Sequence, residues 1–451
     1  MVTSFQGVIP LAYVDPIRIV VWNSRWNSPC HCLVVSTSIF LRGFLVVRRK
    51  TSQSLVVSNN PPESPYAPGF GFTPPYLAGR DAVLAQIKRA LDQGPRSPWY
   101  IHGISGDRGV GKTSLLNAIE VHAAKAGWSV VSLQVVPGEP QIHTLARDLV
   151  SAATSTWGKA AAFLKDIDIE LTVGVDLKVA KAEAKLSGKP GVGKPPSIVL
   201  RDILIAVGSY AKDQGGGVLI TIDEAHEWNT AGEIAALASA LQLVVKRKNF
   251  PIAVYFAGLL NLSTVFEGAG TFLERMGIEE LHVLTPESTR LALIEPATEK
   301  GIRFDREAVD LLIAGCEGYP YLVQLAGNFS WQEMNGSVID LAAATKGLAK
   351  ARIEVEKLYS DRWEKLTVLE RAYVHSVARL GEDPTTSDVA KSLKRTQQQL
   401  GTTRDALINE HRLLRATQRG HISLALPGFG SWVTAQPRVR TSAPARVKKA
   451  K

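Results

Sequence analysis

Cysteine is scarce: Cys30, Cys32 and Cys316 are the three in 451 residues. Three cannot build a disulfide framework, and Cys30-His31-Cys32 lacks the second ligand pair that a zinc site needs, so a reducing compartment, the cytoplasm, is expected. Long apolar runs are missing as well. The most apolar stretch, Leu33 to Val47, is about fifteen residues and is broken by Arg42, short of the ~20 residues that cross a hydrocarbon core. Met1 to Pro10 has no basic residue, so the positive start of a secretory signal is not there. No membrane partner is expected. An excess of one charge is also lacking from most of the chain. The formal charge is +10, yet residues 1–58 carry six basic residues against Asp15 and residues 436–451 carry six against none, so the two ends account for it. The basic pI therefore marks two tails rather than a fold that binds nucleic acid throughout.

What is present begins with Gly106-Asp107-Arg108-Gly109-Val110-Gly111-Lys112-Thr113, which fits the pattern Gly, four residues, Gly-Lys-Ser/Thr. Trp99-Tyr100-Ile101-His102 upstream suits a buried strand; Leu115, Leu116, Ala118, Ile119 and Ala123 downstream recur at helical spacing. Strand, loop and helix are the context in which such a loop turns its N–H groups toward phosphate oxygens, with Lys112 reaching the β/γ-phosphates and the Thr113 hydroxyl holding magnesium. The expected nucleotide contacts are Gly106, Asp107, Arg108, Gly109, Val110, Gly111, Lys112, Thr113 and Ser114. The bland alternative is a glycine turn with an incidental lysine. A built-in control exists: Gly188-Lys189-Pro190-Gly191-Val192-Gly193-Lys194 has the same glycine-lysine spacing but continues Pro195-Pro196, with neither the hydroxyl nor a helix start in register, and reads as a loop.

The second landmark is Gly217 to Glu224, an apolar strand that ends in Asp223-Glu224. Two carboxylates at a strand's C-terminal end sit where an α/β sheet binds its ligand. Asp223 would hold magnesium through water, and Glu224 would orient or deprotonate the attacking water. Asp223-Glu224-Ala225-His226 also spells a helicase box, but a second motor domain with its own arginine motifs is not legible. Phe250 to Ala257 is a further strand, whose end at Gly258 lacks the polar sensor common there. Thr271 to Met276 reads as a helix end before a last strand, Glu280 to Leu284; Arg275 would either reach a γ-phosphate on a neighbouring subunit, making a homo-oligomer, or form a surface salt bridge.

The organisation follows. Residues 1–58 are an atypical extension, expected to be disordered or spurious, or else a membrane-surface or partner-binding arm. Residues 59–284 read as an ATPase core, with Asn59 to Pro75 a linker or lead-in, Leu77 to Asp81 opening a helix to Leu91, and a Lys/Ala- and Gly/Pro-rich insertion at 167–196. Asp81 could simply cap that helix, or the lead-in could cover the adenine side of the nucleotide. Residues 285–358 read as a four-helix lid interrupted by Gly318-Tyr319-Pro320, where Pro320 is either local geometry at a first helical turn or a neighbour of the base or ribose. Residues 359–435 read as a winged helix: helix, helix-turn-helix, strands around Arg419-Gly420. Lys394, Arg395, Arg404, Arg415 and Arg419 would contact double-stranded DNA, with Gln397, Gln398 and Gln399 at base edges; a solvated basic face or a protein-docking module is the competing reading. Residues 436–451 are a basic, disordered tail.

Taken together, Gly79-Arg80-Asp81, the loop Gly106 to Thr113, Ile222-Asp223-Glu224, Phe256-Ala257-Gly258-Leu259, Arg275, Gly318-Tyr319-Pro320 and the C-terminal pattern resemble the AAA+ ATPases of the origin-recognition-like class, over roughly residues 60–435. The resemblance implies a P-loop NTPase αβα sandwich with a parallel sheet, a helical lid and a winged-helix domain. It implies magnesium-dependent ATP binding and hydrolysis, with Glu224, Lys112 and Arg275 catalytic and Gly79, Arg80 and Pro320 at the nucleotide. Two departures are visible: no lid arginine stands at Gly318-Tyr319-Pro320, and the fourth strand ends without a polar residue. Both point to a slow switch rather than a motor.

Overall fold

The protein is seen in a computed structural model that describes residues 63–69, 71–159, 196–228 and 230–437. The expectations for 1–58, for most of the 167–196 insertion with its second glycine-lysine loop, and for nearly all of the basic tail lie outside those residues.

Helix α1 spans Asp81–Gln93 and leads to strand β1, Ile101–Gly106. Helix α2, Lys112–Lys125, follows the glycine loop, and β2, Ser129–Gln134, follows α2. Next come α3, Gln141–Thr156, α4, Pro196–Asp213, and β3, Val218–Asp223. The core closes with α5, Ala231–Leu241, β4, Ile252–Gly258, the single turns α6, Leu262–Val265, and α7, Thr271–Glu274, and β5, Gly277–Leu281. The five strands form one parallel sheet in the order β2-β3-β4-β1-β5. Parallel strands covered on both faces read as continuous apolar runs, and β4 is buried at every position. One face of α2 packs down on the sheet through Leu115, Leu116 and Ile119, all at most 2% exposed, each worth roughly 1.5–3 kcal/mol of burial.

The last strand is Gly277–Leu281, not Glu280 to Leu284. Pairing decides this, because β5 runs in register with β1 from His102 opposite Gly277 to Gly106 opposite Leu281. A side chain at Gly103 would come within 2.9 Å of Ile278, so the glycine lets that edge strand lie close. The first strand likewise sits later than expected and delivers Gly106 as its final residue.

The remaining residues are helical with short strand pairs. Helices α8, Pro286–Glu299, α9, Arg306–Cys316, α10, Pro320–Glu333, and α11, Leu341–Glu364, form the lid, and β6, Arg303–Phe304, pairs with β7, Val338–Ile339. Asp340 caps α11 by accepting from the Ala343 N–H at 2.8 Å. That helix runs past residue 358, across the expected lid boundary. Helix α12, Val368–Leu380, opens on a capping box between Thr367 and Glu370. Then follow α13, Thr386–Ser392, α14, Gly401–Asn409, an antiparallel ribbon of β8, Leu414–Ala416, and β9, Ile422–Leu424, and a closing helix α15, Phe429–Ala435, absent from the sequence reading. Thr396 and Gln399 cap one another, the Thr396 N–H donating to Gln399 Oε1 and the Gln399 N–H to the Thr396 hydroxyl, ahead of the turn that leads into α14.

Besides a small cluster of Tyr66, Ala297, Ile302, Trp331, Met334, Ile339 and Ala343, two large hydrophobic clusters result. One fills the sheet and its helices from Ile87 to Leu281. The other is continuous from Leu293 in the lid through Tyr359 and Trp363 to Phe429 and Val433. Lid and C-terminal unit therefore share one core. Among the described residues no helix is long and apolar enough to cross a membrane.

Gly318 clamps the lid to the sheet. It has φ +69°, its carbonyl accepts from the Leu284 N–H at 2.8 Å, and a Cβ there would lie 2.1 Å from the Leu284 carbonyl oxygen. Gly318→Ala combines left-handed strain with a backbone clash and is expected to destabilise the protein by roughly 1–3 kcal/mol, read by denaturant unfolding; an unchanged midpoint would contradict this packing.

Candidate functional site

The sheet order places β4 between β1 and β3, so the phosphate-type loop and the strand bearing the carboxylates are not neighbours. They meet through α2, whose first turn brings the Thr113 hydroxyl to donate to Asp223 Oδ2 at 2.6 Å. Asp223 Oδ1 accepts from the Glu224 N–H at 2.8 Å, and Glu224 takes a left-handed φ of 52°. A non-glycine residue held there is strained, and the turn sends the chain sharply off the strand end.

Lys112 is 8% exposed, and its Nζ donates to the carbonyls of Gly106, at 2.9 Å, and Asp107, at 2.8 Å, closing the loop on itself. Burial pushes its ammonium below the ordinary lysine range, while Glu224, Asp223 and Asp107 pull the other way. Gly106, Gly109 and Gly111 all have positive φ, and a Cβ on Gly109 would strike the Tyr319 hydroxyl at 2.5 Å. The loop is thus glycine-rich for a visible reason: the lid leans on it.

A cavity of about 530 Å³ opens above the loop. Arg108, Gly109, Val110, Gly111, Lys112, Thr113, Ser114 and Glu224 line it from the core, Tyr319, Pro320 and Tyr321 from the lid, and Tyr359 and Arg362 from the end of α11. Pro68, Phe72, Tyr76 and Ala78 line it from the stretch ahead of α1, read from sequence up to Pro75 as a linker or lead-in. That segment is tied down: the Ala67 N–H donates to Gln324 Oε1 at 3.0 Å, and Asn117 Nδ2 donates to Gly71 O at 3.2 Å.

Several expected contacts have different surroundings. Gly79 is a left-handed turn against Ser288, with Ala78 and Arg80 beside it at the cavity wall. Arg80 is 9% exposed, and its Nη2 donates to the carbonyls of Val110, at 3.0 Å, and His282, at 2.6 Å, so it braces the loop from behind. Gly106 closes β1 beneath the loop. Asp107 faces away, into a second cleft lined also by His226, Asn261, Arg412 and Arg415. Arg275 is exposed beyond the N-terminal end of β5, the end of the sheet opposite the loop, and cannot serve this chain's own cavity.

Arg415 has the least expected surroundings. Expected on a DNA face, its Nη1 pairs with Asp107 of the glycine loop, while its Nε donates to Ser423 on the facing ribbon strand at 2.6 Å. Arg412 pairs with Glu227, holding that carboxyl below its ordinary range chiefly by the hydrogen bond it donates. The C-terminal unit is thereby latched to the core. Lys394, Arg395, Arg404 and Arg419 are not part of that latch; Arg404 pairs with its neighbour Asp405, and Arg404 and Arg419 line one cleft of the C-terminal unit.

His226 was not singled out as a site residue, yet it joins these parts. Its Nδ1 accepts from the Leu259 N–H at 3.3 Å, so the 3.3 Å approach of Glu224 Oε2 to the same nitrogen is no hydrogen bond, and Oε2 is left enclosed without a donor. Burial, reinforced by Arg412, pushes the His226 imidazole down to about 4 against the pull of Glu227, leaving it neutral near pH 7. Gly258, at the end of β4 where a polar residue is missing, makes room: a Cβ there would lie 3.2 Å from the His226 backbone nitrogen. Burial and Asp223 together raise the Glu224 carboxyl.

A glycine loop at the C-terminal end of a central parallel strand, with lysine, hydroxyl and acid converging beside it, defines a P-loop NTPase architecture. Residues 76–253 match the AAA ATPase domain family, and that segment is an AAA+ ATPase domain. Residues 356–433 match a family described as a domain of unknown function. No curated protein matches the chain in sequence. Among solved structures, a Walker-type ATPase of Pyrococcus abyssi is similar over 79% of this chain and 96% of its own, at 13% identity and a TM-score of 0.50. Cdc6p from Pyrobaculum aerophilum aligns over 81% of this chain and 95% of its own, at 13% identity and a TM-score of 0.39. The Aeropyrum pernix Orc1 protein in complex with DNA aligns over 79% and 92%, at 14% identity and a TM-score of 0.38.

Removing the latch is a direct test of this geometry. Arg415→Ala together with Arg412→Ala should loosen the 414–424 ribbon by roughly 1–3 kcal/mol, seen as faster amide hydrogen exchange there while β1 and β4 stay protected. Unchanged exchange in the ribbon would mean the two arginines do not hold it.

Proposed function

We propose that this chain is an ATP-binding, slowly hydrolysing switch of the origin-recognition-like AAA+ type, in which the nucleotide state governs the position of the C-terminal unit. The observation that carries this is that Lys112, Thr113 and Glu224 line one cavity, with Asp223 bonded to the Thr113 hydroxyl, and that the loop is also gripped, through Asp107, by Arg415. The residues fit the ligand. Thr113 and Asp223 offer magnesium one hydroxyl and one carboxylate side by side, the small protein share that this ion takes when phosphates supply other ligands. Magnesium, when bound, neutralises charge on the β- and γ-phosphates. Lys112 exchanges its two carbonyl acceptors for phosphate oxygens. Glu224, with one oxygen enclosed and undonated, takes a proton from the attacking water or fixes its direction. The strap 67–78 and the lid residues Pro320 and Tyr321 enclose the base and ribose. We assign Arg275, exposed beyond β5, to the γ-phosphate of a neighbouring copy, with a surface salt bridge as the alternative.

We read residues 359–435 as a winged helix whose output is double-stranded DNA, bound through Lys394, Arg395, Arg404 and Arg419. A second reading, a signalling scaffold whose nucleotide state controls protein docking, is favoured by one observation: Arg412 and Arg415, two of the basic residues of this unit, bond the chain's own core. Lys112→Ala should abolish ATP binding in equilibrium titration, and Glu224→Gln should retain ATP while hydrolysis falls at least a hundredfold. Unchanged ATP affinity in Lys112→Ala would sink the proposal. For the output, duplex affinity should fall steeply with salt and weaken further in Arg404→Ala/Arg419→Ala; no measurable duplex binding at low salt selects the scaffold.

A further inference from the structure

We infer that His226 is a positioning residue for Glu224 and that Arg412 governs it, so that the C-terminal unit regulates hydrolysis without touching the nucleotide. This rests on the ATP reading of the cavity. The three side chains form a chain of contacts. His226 stands in the short turn Ala225–Glu227, directly after the carboxylate pair, and its side chain is 2% exposed. Glu224 Oε2 lies 3.3 Å from its Nδ1. Arg412 Nη1 lies 3.3 Å from its Nε2, reaching in from the loop between α14 and β8. Both ends of this chain of contacts are on strained backbone: Glu224 has φ 52° and Arg412 φ 53°, left-handed values that a non-glycine residue keeps only where its surroundings enforce them.

A neutral imidazole has one N–H and one acceptor nitrogen, and His226 is neutral near pH 7. With Nδ1 accepting from the Leu259 N–H, the ring proton is on Nε2. Two contacts are then mismatched. The Nε2–H meets Arg412, a guanidinium with donors only, and the enclosed, undonated oxygen of Glu224 meets the lone pair of Nδ1. Placing the proton on Nδ1 removes both mismatches at once. Arg412 Nη1 then donates to Nε2, and Nδ1–H donates to Glu224 Oε2. One proton leaves Nε2 for water in the cleft that His226 lines and one returns from water to Nδ1, so the charge of the ring is unchanged. Two charge-assisted hydrogen bonds replace one neutral bond of 3.3 Å from Leu259.

Arg412 decides between the two arrangements. The acceptor that suits a proton on Nε2 is Glu227 Oε1, 3.4 Å away, and Arg412 pairs with that same oxygen. Seated, Arg412 occupies Glu227 and turns an N–H toward the ring; withdrawn, it leaves Glu227 to Nε2–H. A partner that draws the C-terminal unit off the core therefore takes from Glu224 the donor that fixes its direction, and bound ATP persists.

The test is single-turnover ATP hydrolysis and equilibrium ATP affinity of the full chain, in wild type, Arg412→Ala, His226→Ala, His226→Asn and the two combinations with Arg412→Ala. The amide N–H of asparagine stands in for Nδ1–H and needs no second ring nitrogen, so it holds Glu224 with or without Arg412. Arg412→Ala and His226→Ala should each slow hydrolysis about tenfold, the loss of one charge-assisted hydrogen bond, with ATP affinity within about threefold of wild type. Together they should be no slower than either alone. His226→Asn should recover most of the rate that His226→Ala loses, and adding Arg412→Ala to it should cause no further loss. Losses that multiply in Arg412→Ala/His226→Ala, a further tenfold loss in Arg412→Ala/His226→Asn, or an unchanged rate in Arg412→Ala would overturn the inference. So would a wild type that binds ATP and hydrolyses none. A wild type that binds no ATP removes the ATP reading itself, and this inference with it, before any rate is compared.

Discussion

Everything in this structure depends on how the turn 106–113 is held. A short glycine-rich loop has little to fix its shape by itself, because each glycine loses more freedom on ordering than any other residue. Here four neighbours supply the restraint. Lys112 closes the loop across its own carbonyls, Arg80 holds Val110 from behind, Tyr319 rests on Gly109, and Arg415 takes Asp107. Those four come from α2, the start of α1, the lid and the C-terminal ribbon. The loop is therefore the point where every part of the described chain meets, and a change in what it binds is felt by all of them.

This meeting also explains the distribution of charge. Basic residues of the C-terminal unit, counted along the sequence, suggest one face for one acidic partner. In the structure they divide. Arg412 and Arg415 find Glu227 and Asp107 of the core, whereas Arg404 and Arg419 border a cleft on the unit itself. An arginine paired with a partly buried carboxylate is a latch whose strength depends on the low local dielectric, and it is not available to phosphate at the same time. While these pairs stand, the two arginines belong to the core and not to the outer face of the unit.

The shared core of lid and C-terminal unit adds a second tie between these parts. Because α11 runs unbroken from Leu341 to Glu364 and carries Tyr359 and Trp363 into the cluster around Phe429, the lid and this unit are packed as one body on that side. A motion of the lid over the cavity is transmitted by packing, which is stiff, and not by a linker, which is not.

The chemistry of the core was legible in the order of residues, because it rests on local patterns: glycines before a lysine and a hydroxyl, an apolar run ending in two acids, and periodicities of two and 3.6. Those patterns fixed the kind of sheet, the loop and the carboxylates. They could not say that β4 stands between β1 and β3, or that β5 pairs three residues earlier than its apolar pattern suggests. Nor could they distinguish an arginine that meets solvent from one that meets Asp107, since the two partners are far apart in the chain and only folding brings them together. Residue types and spacing determined what this protein can do with a polyphosphate; the tertiary structure decided which charges are left to do it, because a charge's partner is set by what lies next to it in space.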